Sequence, residues 1–94
     1  MKETLDCDNW ISWRRRSVDI DVRLDEGDAI VLTISPNGHD ATASILSRPG
    51  AYIRVPAQHW FTIESRGRKS VIHFKADSSD EEIADKDWYP RPRT

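Results

Sequence analysis

Histidine, clustered arginine and a lone cysteine are the side chains from which this sequence could build chemistry. His39, His59 and His73 are its three histidines. Two histidines and a carboxylate suffice to hold iron or zinc, which makes His59 and His73 the metal candidates. Nothing in their spacing demands such a site, and the plainer expectation is a hydrogen-bonded core histidine at 59 with surface histidines at 39 and 73. Arg14, Arg15 and Arg16 follow Trp10 and Trp13, and a basic cluster beside aromatics can contact phosphates or stack on bases. No further basic residue extends the run, so a solvated or salt-bridged edge is expected. Cys7 has no second cysteine to pair with and no histidine nearby in sequence, so it is read as passive. No Ser/His/Asp or Cys/His nucleophile arrangement and no glycine-rich phosphate loop is present. The reading therefore leans away from an enzyme and assigns no cofactor.

The elements that must position these groups are short strands. Val18, Ile20, Val22 and Leu24 alternate with Asp19, Asp21 and Arg23, the period of a half-buried strand. Asp25–Glu26–Gly27–Asp28 makes a turn, after which Ile30, Leu32 and Ile34 share a face, so the two runs read as a hairpin. Ser35–Pro36–Asn37–Gly38 and Ser47–Arg48–Pro49–Gly50 are further turns around a strand at Ala41–Leu46. From Gly50 to Ser65 two alternating runs are hinged at Pro56, which cannot donate to a ladder and belongs at a corner. Arg66–Gly67–Arg68–Lys69 then reads as a hairpin loop before Ser70–Lys75. Ser79 and Glu82 form a capping box for a short acidic helix, and Trp88 and Tyr89 precede Pro90 and Pro92 in an extended end.

With 94 residues the chain has room for one core. The expected organisation is a single domain over 1–94, with an N-terminal arm over 1–12 unless Trp10 and Trp13 tie it down, a β core over 17–75 and an acidic, aromatic and proline-containing tail over 76–94. A net charge of −2 gives no bulk signature of a nucleic-acid binder. No long apolar run points to a membrane, and a soluble, cytoplasmic protein is expected. Turns at roughly ten-residue spacing with no parallel-sheet helices give the fold class: all-β, a small antiparallel barrel or jelly roll.

Gly50, Pro56, Gln58 and Phe61, at their spacing, resemble the second conserved motif of the cupin family, which has glycine where Gln58 stands and histidine where Phe61 stands. Leu24–Asp25–Glu26–Gly27–Asp28 is similar to the turn closing the family's first motif. The resemblance spans Val18 to Phe74 and implies a cupin-like barrel and a homodimer. In catalytic cupins the two motifs supply three histidines and a glutamate to a divalent metal. Here Ile20 falls at the glutamate position, the histidine pair falls among Trp13–Arg16, and Phe61 replaces the last ligand. None of these side chains coordinates a first-row metal.

The first functional expectation is therefore a metal-free, non-enzymatic cupin-like module binding a small ligand, anions among the candidates, through Arg54, His59, Trp60, Phe61, Arg14 and Arg16. The alternative is a protein–protein interaction, regulatory or inhibitor protein that uses its tryptophans, its acidic tail and the Trp88–Tyr89 pair. A metal-dependent cupin isomerase or dioxygenase is the third.

Overall fold

The computed structural model describes residues 2–76 and 82–83. These form nine strands and no helix: β1 (Lys2–Leu5), β2 (Arg14–Arg15), β3 (Ile20–Glu26), β4 (Ala29–Ile34), β5 (Ala41–Leu46), β6 (Tyr52–Val55), β7 (Trp60–Ser65), β8 (Ser70–Ala76) and β9 (Glu82–Ile83). Sheet A has the order β1-β8-β3-β6 and sheet B the order β5-β4-β7-β2-β9. Every named pairing is antiparallel. Two facing antiparallel sheets with the chain crossing between them make a jelly roll rather than a closed barrel.

The crossings revise the expected hairpins. Among the described residues only β4–β5 is a hairpin in which sequence neighbours pair, closed by Ser35–Gly38 with Gly38 N–H donating to Ser35 O at 2.8 Å. β3 and β4 lie in different sheets, as do β7 and β8. The reason sits at Gly27, whose φ of +93° is open to glycine, and where a Cβ would press on the Lys69 carbonyl and on Ser70. The β7–β8 turn packs against the β3–β4 turn there. Ser65 Oγ donates to Arg68 O at 2.5 Å and Ser70 Oγ to Asp28 O at 2.7 Å. The Ser65 hydroxyl thus closes its own turn, while Ser70 Oγ and the Arg66 N–H, both donating to Asp28 O, tie one sheet-to-sheet corner to the other. A register shift between Leu24 and Glu26 interrupts the β3–β8 ladder just before this corner. Pro56 occupies the expected corner, between β6 of sheet A and β7 of sheet B.

The core lies between the sheets. Ile20, Val22, Leu24, Ile72 and Phe74 face it from sheet A, and Ala29, Val31, Phe61 and Ile63 from sheet B, as one buried cluster. In β4 the inward positions are Ala29, Val31 and Thr33. Ile30 and Leu32, on the face the alternation singled out, are half-buried on the outside. The N-terminus is not an arm: Lys2–Leu5 pairs along β8, and Leu5, Ile11 and Trp13 are buried. Trp13 and the Ile11 N–H, which donates to Ile63 O at 3.1 Å, tie the segment down. Of the span expected as an acidic helix, Glu82–Ile83 is strand β9 against β2. The rest of that span, with Trp88 and Tyr89, lies outside the described residues.

Candidate functional site

The period of two decides where each candidate side chain goes. Arg14 pairs with Phe61 across an antiparallel ladder, so both project on the same side. Phe61 is fully buried, and Arg14 therefore reaches into the sandwich. Its Nη1 meets Glu3 Oε1 of β1 at 2.6 Å, linking sheet B to sheet A. Its guanidinium carbon lies 5.7 Å from the centre of the Phe74 ring, close enough for a cation–π contact. Phe74 in turn packs on Phe61 at a centroid distance of 6.3 Å. Only 13% of the Arg14 side chain is exposed, so this ion pair is screened less than a surface one.

Arg15, one residue on, projects to the opposite face, its guanidinium carbon 4.7 Å from the centre of the Trp60 ring. The carbonyl of Arg16 accepts the Gln58 N–H at 2.8 Å. The strand period thus separates neighbouring members of the basic run. Gln58 itself has φ +66°, the left-handed region, which explains why the resembling motif carries glycine there.

The other candidates are elsewhere. Arg54 stands on the outer face of sheet A, where Nε donates to Asp21 Oδ1 at 2.8 Å. His59 is half-buried in the β6–β7 corner, with Nδ1 donating to Ala57 O at 3.2 Å. It is hydrogen-bonded as expected, but at the corner rather than in the core. His39 is exposed beside the β4–β5 turn. His73 is half-buried on the outer face of sheet A, where Nδ1 accepts Arg23 Nη2 at 2.8 Å. The structure therefore brings Arg14 and Phe61 together and leaves Arg54, His59, Trp60 and Arg16 on other faces and corners.

The position at which a cupin metal would sit fails on its donor set. Ile20 and Phe61 are fully buried in one apolar cluster with Phe74, and Arg14 closes the same space. Hydrocarbon and guanidinium offer no lone pair to a divalent cation. Among the described residues no group of three His, Cys, Asp or Glu is placed to hold a metal. Cys7 is exposed, and the hydrogen bond from its thiol to Asp8, together with the nearby carboxylate charge, pushes its pKa up, which lowers its thiolate fraction.

The surface carries two features that motif reading missed. Across sheet A's outer face Asp21 pairs with Arg54 and lies beside Lys75, while Arg23 sits between Tyr52 and His73. Two clefts of about 320 and 210 Å³ lie over these rows. The Arg54 hydrogen bond holds Asp21 below its usual carboxylate range, and Arg23 does the same for Asp25. Desolvation, with Arg23 and Lys2 nearby, pulls His73 down. On sheet B the outer rows read Ile45–Ile30–Glu64–Trp10, Ala43–Leu32–Thr62 and Ala41–Ile34–Trp60. Their signal was the unbroken apolar run of Ala29–Leu32, which marks a strand apolar on both faces.

No family model matches the chain, and no curated protein matches it. Solved structures do. Drosophila melanogaster CENP-C bound to CAL1 is 16% identical at a TM-score of 0.70, covering 78% of this chain and 60% of that one. A Drosophila melanogaster CENP-C cupin domain gives 16% and 0.69, covering 78% and 56%. A dTDP sugar isomerase from Desulfovibrio desulfuricans gives 16% and 0.76, covering 93% and 64%. The chain thus spans about three fifths of the length of these neighbours.

Proposed function

We propose that this chain, which has the cupin fold, is a non-enzymatic protein-binding module that uses its surface and keeps its interior closed. The observation that carries the reading is the filled mouth: Phe61 on Phe74, with Arg14 laid over Phe74 and neutralised by Glu3. A ligand entering there would have to displace two aromatic rings and break an ion pair whose arginine is largely buried, leaving a poorly solvated charge. The cupin-fold CENP-C structure bound to CAL1 supports the reading as an instance of this fold meeting a protein partner. The small-ligand expectation loses ground because its lining residues are dispersed over separate faces.

Thermal-shift titration of the purified chain with divalent metals, sugar nucleotides and organic acids should leave Tm unmoved. In-cell cross-linking should recover a stoichiometric protein partner, for which a second copy of the chain is one candidate. A saturable Tm rise with any of those small ligands, lost in Arg14→Met, would overturn the reading.

A further inference from the structure

The edges of the two sheets differ in kind. An exposed edge strand presents unpaired N–H and C=O groups, and stable proteins blunt it with charge, proline or shortness. β1 carries Lys2 and Glu3, β6 is four residues long with Arg54 and ends at Pro56, and β9 is two residues with Glu82. β5 has none of these protections. Ala41–Thr42–Ala43–Ser44–Ile45–Leu46 is six residues without a charge or a proline, and among the described residues nothing pairs on its far side. Ile45 is 62% exposed. Beside it on the outer face lies Ile30, and beside Ala43 lies Leu32, both half-buried.

We propose that β5 is a docking edge that takes an extended segment of a partner protein as an added antiparallel strand, with a basic residue just before that strand. The inference rests on the protein-binding reading above and names the surface and the partner's chemistry. Main-chain hydrogen bonds to β5 supply affinity, and alternate side chains supply specificity. Residues opposed in an antiparallel pair share a face. Apolar side chains of the incoming strand therefore cover Ala41, Ala43 and Ile45, and small hydroxyl side chains meet Thr42 and Ser44.

The charge at one end places the partner's basic residue. A cleft of about 580 Å³ adjoins the C-terminal end of β5, lined by Ile45 and Ser47 with Asp8, Asp28 and Glu64 against Arg66. Asp28 is also met by Arg68 Nε at 3.3 Å and Asp8 by the Cys7 thiol at 3.4 Å. Three carboxylates against Arg66 and the Arg68 that meets Asp28 leave this end net negative, which favours a cation. An antiparallel strand begins beside the C-terminal end of β5, so the cation belongs immediately ahead of it.

The test uses a fluorescein-labelled peptide, Arg-Val-Thr-Val-Thr-Val, with fluorescence anisotropy against the whole chain. Saturable binding is expected, weakened at least about tenfold by Ala43→Lys or Ser44→Pro and several-fold by Glu64→Gln or by a glutamate in place of the peptide's arginine. Ala43→Lys alters an exposed side chain, and circular dichroism checks that it folds should the proline variant not. No saturable binding overturns the inference, and so does binding that ignores Ala43→Lys. A concentration-dependent dimer abolished by Ala43→Lys overturns it too, assigning the edge to a second copy. A partner cross-linked through sheet A defeats this surface while leaving the protein-binding reading standing, whereas small-ligand binding in the mouth defeats that reading itself.

Discussion

The two sheets of this jelly roll share one core and present opposite outer faces. On sheet A, Asp21 takes Arg54, and Asp25 takes Arg23 and Lys2. Arg23 also reaches His73 on the neighbouring β8, and most of these charges are paired within the face. On sheet B, Ile30, Leu32, Ala41, Ala43 and Ile45 occupy the equivalent outward positions of β4 and β5 with no charge among them. A face whose charges are largely paired offers a partner mainly the exposed Tyr52 of β6. A face of half-exposed aliphatics beside an open ladder gains free energy on being covered, about 25 cal/mol for each Å² of apolar surface removed from water. The fold supplies the scaffold for both; the outward half of each strand's alternation decides which face is for solvent.

The comparison breaks most completely if the shared core fails. Phe61→Ala empties the volume on which both sheets rest, and a buried aromatic lost this way costs about 3–5 kcal/mol. The expected result is a Tm lower by more than about 12 °C in a calorimetric scan, or a chain that does not fold. A loss below about 1 kcal/mol would mean that the sandwich is not packed through Phe61. Gly27→Ala strikes the corner where the two sheets meet. Holding a β-carbon at positive φ costs about 1–3 kcal/mol, and the Lys69 carbonyl leaves that carbon no room. Urea denaturation should show a lowered midpoint with the slope unchanged. Ile45→Ser separates stability from binding. Ile45 is largely exposed, so Tm should move by a few degrees at most, while peptide affinity at the β5 edge should fall about tenfold. A variant that loses stability and keeps affinity would assign Ile45 to the fold instead.

Much of the fold was legible because period-two alternation and turn chemistry are local. Val18–Leu24, the Ser35–Gly38 turn and the Pro56 corner all follow from a few adjacent residues. Pairing between sheets was not legible, since Gly27 and Arg66–Lys69 read as ordinary hairpin turns. Nothing local reveals that the glycine faces a carbonyl more than forty residues away. That Ile30, Leu32 and Ile34 share a face was legible, but which way that face points was not. In Ala-Ile-Val-Leu both alternating sets are apolar, so periodicity cannot say which set is inward, and only the register with β5 and β7 does. The basic run at 14–16 illustrates the limit for sites. Adjacent in sequence, Arg14 and Arg15 are placed on opposite sides of a sheet by the strand they form. Their candidate partners, Glu3 and Trp60, are far enough along the chain that spacing carries no trace of them.

The smallest expected effect sharpens the comparison through pH, because sheet A's outer face carries His73, Asp21 and Asp25. His73 has a folded pKa below the usual 6.5 of a free imidazole, caused first by desolvation and then by nearby positive charge, Arg23 and Lys2 included. Its neutral form, accepting from Arg23, is the one the fold favours. The associated stability is present above the unfolded pKa of about 6.5 and is lost as pH falls from there through the lowered folded value. Asp21 and Asp25 have folded values below 3.8, held there first by the Arg54 and Arg23 hydrogen bonds. Their contribution is present above about 3.8 and is lost as pH falls through their depressed folded values. Acid therefore loosens sheet A in two windows of the same sign, while the β4–β5 outer face of sheet B has nothing to protonate. Tm measured from pH 8 to 5 should fall modestly for the wild type and stay nearly flat for His73→Gln, whose amide oxygen can accept from Arg23 without titrating. Added salt should shrink the carboxylate window by screening these exposed pairs and should leave the peptide affinity at β5 reduced only through its leading arginine. A wild-type Tm indifferent to pH between 7.5 and 5.5 would show that the Arg23–His73 bond carries no stability, and that sheet A's face is satisfied by its carboxylates alone.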